Sequence, residues 1–440
     1  MRIFWPLVVL ASVVGSVGAQ TSASASASKL KAVLAALPEC GRTCLTQGIV
    51  VVGTCAPTDV ACICTNKPLN TEVEACVASQ CSVKNALTTK NVTQTSCGFE
   101  PRDRTKHVSY TGIIGMGIAL IAIALRLVAR LPMMGGNFGL DDVFLLVTML
   151  PMIPLSVLSV SLAEAGLGKD MWTVSFKNIT HILYIYYFDE TLYLASLSLI
   201  KISILCFYLR IFPDKRFRWM CAVVIFCCFA YGVAFVVAVA LQCNPINLSW
   251  KRWDNESEGH CVNVNALGWA SATFNIVLDI AVITLPLPQL MKLALSVRKK
   301  IHVMFMFTVG SFVTVVSMLR LKWMIQFANS QNVTWDYVPI GYWSTIEVHA
   351  GIICACLPAI RALLYKLFPR VMGRGSGARS YGYGANTSGN IDTNTSIVQR
   401  VSKAETKDFI PLEEIDTPPG TAVVTAPKSG VHVSTRCYHT

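Results

Sequence analysis

Charged residues are scarce in this chain. Asp, Glu, Lys and Arg together make up 14% of its 440 residues, against about a quarter in a soluble globular domain. With 53% of residues hydrophobic, that shortage excludes a chain dissolved in water along its whole length and points to lipid as the solvent for much of it. Catalytic patterns are lacking as well. No nucleophile–base pair, metal-ligand cluster or phosphate-cradling glycine loop stands out, so the sequence does not read as an enzyme. His349, close to Glu347 in an apolar run, reads as a buried helix contact rather than a metal ligand. Acidic residues are the rarer sign, 25 against 37 basic, for a net charge of +12. The basic residues cluster beside apolar runs, where inward-facing membrane loops carry them. They form no nucleic-acid footprint, and no nucleic-acid partner is expected.

What is present begins with a secretory signal over 1–19. Arg2 precedes an apolar run from Ile3 to Val17, and Val17-Gly18-Ala19 offers small residues for cleavage. About fifteen apolar residues are too few for a span. Residues 20–29 form a Ser/Ala leader of low complexity. Residues 30–97 hold eight of the 17 cysteines, a density found in small secreted domains held by disulfides. A polar linker covers 98–107. A membrane domain over 108–368 contains seven apolar segments, at 108–130, 140–163, 182–210, 219–241, 266–290, 302–325 and 339–364, each long enough to cross about 30 Å of hydrocarbon as a helix. The tail, 369–440, is rich in Gly, Ser, Thr, Asn and Pro and reads as disordered and cytoplasmic.

Three signs orient the spans. The signal peptide places the cysteine module outside. The inner loops then hold Arg210, Lys215, Arg216 and Arg218, and Lys292, Arg298, Lys299 and Lys300, while the outer loops hold only Lys169, Lys177, Lys251 and Arg252, the positive-inside pattern. Glycosylation sequons at Asn91, Asn178, Asn247, Asn255 and Asn332 all fall outside, and those at Asn386 and Asn394 fall inside, where they should stay bare. Cys243 and Cys261 share one outer loop, where they can form a disulfide. The remaining cysteines in apolar runs, Cys206, Cys221, Cys227, Cys228, Cys354 and Cys356, are read as buried small hydrophobes.

The module's cysteines, Cys40, Cys44, Cys55, Cys62, Cys64, Cys76, Cys81 and Cys97, with the Pro38-Glu39-Cys40-Gly41 start and the Cys62-x-Cys64 pair, resemble the CFEM domain of fungal extracellular membrane proteins. The resemblance implies a small helical basket closed by four disulfides, whose pairing is left open. Some members bind haem through an axial aspartate, and the matching position is Asp59. A carboxylate is a hard donor that prefers ferric iron, and apolar residues stand around it at Ile49 to Val52, Val60 and Ile63. Haem is thus the one cofactor the resemblance implies. Asp59 also suits the N-cap of a helix beginning there, which would make the module a structural cap.

The membrane domain is similar to the fungal rhodopsin-like seven-helix family. The matching residues are Gly139-Leu140-Asp141-Asp142, Gly166-Leu167-Gly168-Lys169, Lys201, Tyr208 to Phe212, Cys243-Asn244-Pro245, Trp250, Cys261, Asn275, Asp279, Leu285 to Pro288, Glu347 and Leu357 to Arg361. The expected fold is an all-α membrane protein, a seven-transmembrane helix bundle preceded by a small disulfide-rich helical extracellular domain. A retinal Schiff base needs a lysine in the seventh span, and none lies between Pro339 and Tyr365. Charges inside spans are costly unless paired or wet, which singles out Lys201 with Asp279, and Arg320 with Glu347, each pair at a shared depth. They read as packing locks or as a ligand path. The resemblance implies a fungal plasma-membrane receptor that senses an extracellular or host-derived cue and signals inward through a heterotrimeric G protein or another cytoplasmic partner. The rival readings are capture or transport of haem iron, and a structural adhesin.

Overall fold

The computed structural model describes residues 31–57, 59–134, 136–292 and 297–367, without the side chains of 134, 290–292 and 297–306. The expected signal peptide, leader and tail lie outside the described residues, as do Asn386 and Asn394.

The cysteine module is helical. After a helical stretch over 31–36 it contains α1 (Glu39–Val52), α2 (Val60–Thr65), α3 (Lys67–Gln80) and α4 (Val83–Ser96). Polar side chains start three of these: Asp59 accepts from Cys62 N–H, Asn66 from Leu69 N–H and Ser82 from Asn85 N–H, each satisfying an orphan donor of a first turn. Its core is small: Leu37, Leu45, Cys55, Ile63 and Leu69 are buried, with Val33, Ile49, Val73 and Val92 packed beside them. Covalent closure makes up for that size. Cys40–Cys81 and Cys44–Cys76 tie α1 to α3, Cys55–Cys62 closes the loop before α2, and Cys64–Cys97 ties α2 to the end of α4.

Seven further helices are long and apolar enough to cross a membrane: α5 (Thr105–Arg130), α6 (Leu140–Ala165), α7 (Phe176–Ile211), α8 (Lys215–Ala240), α9 (Val264–Thr284), α10 (Val297–Gln326) and α11 (Val338–Leu367). Large apolar side chains such as Ile114, Ile121, Phe226, Phe229 and Phe274 are exposed on them, as expected of helices whose outer walls face hydrocarbon. α9 breaks at Leu285-Pro286, where proline cannot donate to the helix, before a short continuation, Leu287–Lys292. α7 has 36 residues, about 54 Å of helix, and begins six residues before the expected segment. Ser175 caps it, and the polar Lys177, Asn178 and His181 hid its first turns from a search for apolar runs. Between α8 and α9, β1 (Cys243–Asn244) pairs antiparallel with β2 (His260–Cys261), placing Cys243 opposite Cys261, and the two are joined. Of the cysteines read as buried in the spans, Cys221, Cys228 and Cys356 are so, whereas Cys227 is exposed on the outer wall of α8, where a thiol meets lipid as readily as core.

Candidate functional site

The two intramembrane pairs named from the sequence become one network. Lys201 on α7 lies 3.0 Å from Asp279 on α9 and donates to Asn275 Oδ1 at 2.6 Å. Asn275 and Ser317 of α10 donate to Glu347 Oε1 of α11 at 2.7 and 2.6 Å, and Tyr193 of α7 donates to Glu347 Oε2 at 2.6 Å. Every one of these groups is buried, so each hydrogen bond avoids the cost of an unpaired polar group in low dielectric. Arg320 and Glu347 depart from expectation: among the described residues they form no ion pair. Arg320 donates to Ser344 Oγ at 2.7 Å and stacks 4.2 Å from the Tyr193 ring centre. The phenol stands between the two charges, bound to the carboxylate by its hydroxyl and to the guanidinium by its face. A cavity of about 360 Å³ runs from Lys201, Asp279 and Glu347 toward the end of the bundle remote from the module, between α7, α9, α10 and α11.

That remote end carries a second cluster, built around Asp141 and Asp142. Asp141 and Asp142 do begin α6, and Asp142 Oδ2 accepts from Gly139 N–H at 3.0 Å, as the helix dipole favours. Three arginines also converge on them. Arg126 of α5 reaches Asp141 at 2.6 Å and Asp142 at 2.8 Å, and donates to the Ala355 carbonyl of α11. Arg130 reaches them at 2.8 and 3.3 Å, and Arg210 of α7 at 3.4 and 3.8 Å. Arg126 is 1% exposed. Its signal was available, an arginine within an apolar run, read by the same cost argument that selected Lys201. Arg210, with no acid beside it in sequence, finds its acids across the bundle. Asp189 and Glu190 lie midway along α7, and one buried Asp189 oxygen has no hydrogen-bond partner among the described residues. His349 is a helix contact, its Nε2 3.1 Å from Ser156 Oγ. No group that could hold a metal ion is found among the described residues.

At the other end, the module sits on the bundle. Leu87 of α4 joins the apolar cluster of Val108, Leu162, Leu167, Met171, Ile179 and Val338. Lys84 bridges to Asp254 at 3.1 Å and Glu256 at 2.5 Å in the α8–α9 connection, and Lys90 lies over Trp172. The hydrogen bond that Lys84 donates to Glu256 raises its pKa above the ordinary value. Burial opposes ionisation of Asp254, but the hydrogen bonds from Glu256 N–H and Lys84 outweigh it and hold that carboxyl below its ordinary value. The Gly166-Leu167-Gly168-Lys169 stretch stitches this end together. Gly168 (φ 110°) donates to Thr334 O at 2.9 Å and accepts from Arg104 N–H at 2.8 Å. A Cβ there would lie 2.6 Å from Thr105 N, so only glycine permits the approach.

The remaining named residues divide by exposure. Asp59 is exposed and its Oδ1 accepts from Cys62 N–H at 3.0 Å. Asn91, Asn178, Asn247 and Asn255 are exposed. Asn332 differs: its amide donates to Asp170 at 2.9 Å, its oxygen accepts from Met171 N–H at 2.8 Å, and Thr334 of its sequon is buried. Both ends of the side chain are engaged inside the stitched loops, which corrects the expectation of an open glycan acceptor there.

Seven spans with lipid-facing walls, a buried charged network and a disulfide-closed module define a multi-pass helical membrane protein of the receptor-like kind. The chain belongs to the fungal rhodopsin domain family, which it matches over residues 125–366, more than half its length, and residues 33–98 match the CFEM domain. Similar proteins include a SAT4 family membrane protein of Emericella nidulans, 28% identical over 231 residues (52% of this chain, 58% of the relative). Fugralins biosynthesis cluster protein 2 of Gibberella zeae is 28% identical over 264 residues (58% and 65%), and Receptor GIN3 of Arthrobotrys oligospora 25% over 252 (57% and 61%). The chain spans about three fifths of the length of these relatives. No solved structure matches.

Proposed function

We propose that this protein is a receptor of the fungal plasma membrane, with the CFEM domain outside and the tail inside, and that an extracellular cue held by the module is relayed through the bundle to a cytoplasmic signalling partner such as a heterotrimeric G protein. The observation that carries the reading is the seat of α4. Lys84, Leu87 and Lys90 rest on the connections that lead into α7 and α9, and those helices bear Lys201 and Asp279. A ligand that shifts the module therefore acts on the helices of the buried network, and not on a free tether. Ferric haem is the ligand the module's chemistry fits. Asp59 Oδ1 is engaged in the helix cap, its other oxygen has no partner among the described residues, and Val50 and Val51 at the end of α1 are 80% and 72% exposed.

The test uses whole cells and three proteins: wild type, Asp59→Ala and Lys84→Glu. Haem-dependent G-protein activation is expected in the wild type only, with the Lys84→Glu protein still showing the ferric haem spectrum. Uptake of labelled haem without activation would give the protein to the transport reading. Haem that never binds the wild type would return Asp59 to its capping role alone.

A further inference from the structure

The hydrogen-bond inventory at the floor of the 360 Å³ cavity is incomplete in a specific way. The Lys201 ammonium has three donors and, among the described residues, two partners, Asn275 Oδ1 and Asp279 Oδ1. Asp279 Oδ2 has two neighbours that could donate, Ser317 Oγ at 3.0 Å and Asn275 Nδ2 at 3.4 Å. Both lie closer to Glu347 Oε1, at 2.6 and 2.7 Å. The one Ser317 proton serves one acceptor, so Asp279 Oδ2 keeps at most a single long contact. The floor thus holds a spare N–H beside a carboxylate oxygen short of a donor. Above it the walls are largely apolar, with Ile204 and Phe207 of α7, Val282 and Ile283 of α9, and Phe307 and Val313 of α10, and Tyr208 and Arg361 add polar groups farther from the floor.

We propose that this cavity binds a lipophilic alcohol, its hydroxyl accepting from Lys201 and donating to Asp279 Oδ2. A hydroxyl both accepts and donates while carrying no charge, and unlike a carboxamide, which also does both, it brings no second N–H to leave unpaired against the apolar walls. A carboxylate would meet the charges of Asp279 and Glu347, an amine would meet Lys201, and a ketone would leave Asp279 without a donor. From Lys201 to Phe212 the wall rises eleven residues, about 16 Å, which suits a chain of about a dozen carbons or a flat polycyclic body of that length. The proposal goes beyond the receptor reading and does not depend on it.

The test is photolabelling of the full-length protein in lipid nanodiscs with a diazirine-bearing dodecanol, the label mapped by peptide mass spectrometry. Label is expected on residues 197–212, 279–287 and 307–313, competed by dodecanol about tenfold better than by 2-dodecanone, dodecanoate or dodecane, the value of a buried hydrogen bond to a charged group. Ile283→Trp fills the cavity without touching the network and should abolish the labelling while the protein stays folded. In a Lys201→Met/Asp279→Leu protein the tenfold preference should vanish although apolar probes still label. Label confined to lipid-facing residues, or competition equal across the four compounds in the wild type, would overturn the proposal.

Discussion

Lys201 and Asp279 are each nearly sealed from solvent, at 4% and 8% exposure. Removing either strands the other in low dielectric, at about 3–5 kcal/mol. Single Lys201→Met and Asp279→Leu proteins should therefore give poor yields of folded protein, and the double variant should recover much of the loss. Size-exclusion yield after extraction measures this, and a double variant no better than the worse single would dissolve the pair. The far-end cluster is asymmetric. Arg126 has 1% of its side chain exposed, Arg130 14% and Arg210 34%, so Arg126→Ala should cost several kcal/mol and Arg210→Ala about 1 kcal/mol or less. Thermal unfolding in nanodiscs should rank them in that order. At this scale the sequence was legible for Lys201 and Asp279, charges that stand in apolar runs at a shared depth. It was illegible for Tyr193, Ser317 and Ser344, because hydroxyls are common in spans and nothing in their spacing says which will meet a charge.

Among elements, the spans themselves were plain to read and their ends were not. α7 and α10 extend past the apolar windows, because capping and polar surface turns decide where a helix stops once it leaves hydrocarbon. The connection between α8 and α9 gives the sharpest check. Cys243–Cys261 closes a separation of 18 residues, worth about 3 kcal/mol in the chain-entropy account, and it holds the strand pair that presents Asp254 and Glu256 to the module. Peptide mapping without reductant should find the two linked, and Cys243→Ala should lower the melting temperature and loosen the module together. The order of the eight module cysteines could not be paired from spacing, since that requires knowing which helices lie side by side. The helix caps at Asp59, Asn66 and Ser82 are of a residue type that sequence alone marks as capping.

For the molecule as a whole, topology is the expectation with the widest reach. Glycan mapping should find sugar among Asn91, Asn178, Asn247 and Asn255, none at Asn332, whose amide is engaged, and none at Asn386 or Asn394; sugar on the tail would overturn the seven-span orientation. Module seating has a pH signature of defined sign. The Asp254 pKa lies below its ordinary 3.8 and that of Lys84 above its ordinary 10.5, so their contribution is complete between about pH 5 and 9, lost as acid carries the pH through the depressed Asp254 value, and lost again in strong base. A spin-label distance between α4 and α9 should stay fixed from about pH 5 to 9 and broaden only once acid carries the pH below the ordinary 3.8 of Asp254; broadening already at pH 6 would mean that other groups hold the seat.

Asn255 lies between Asp254 and Glu256, the two carboxylates that grip Lys84, and it is exposed in the left-handed conformation at φ 56°. Any molecule that carries an oligosaccharide on this residue carries a bulky, strongly hydrated wedge at a joint where the cysteine module clasps the bundle. A single batch of polypeptide would then contain two mechanical populations, clasped and sprung. The ratio between them would be set by the glycosylation machinery of the secretory route and not by the amino-acid sequence.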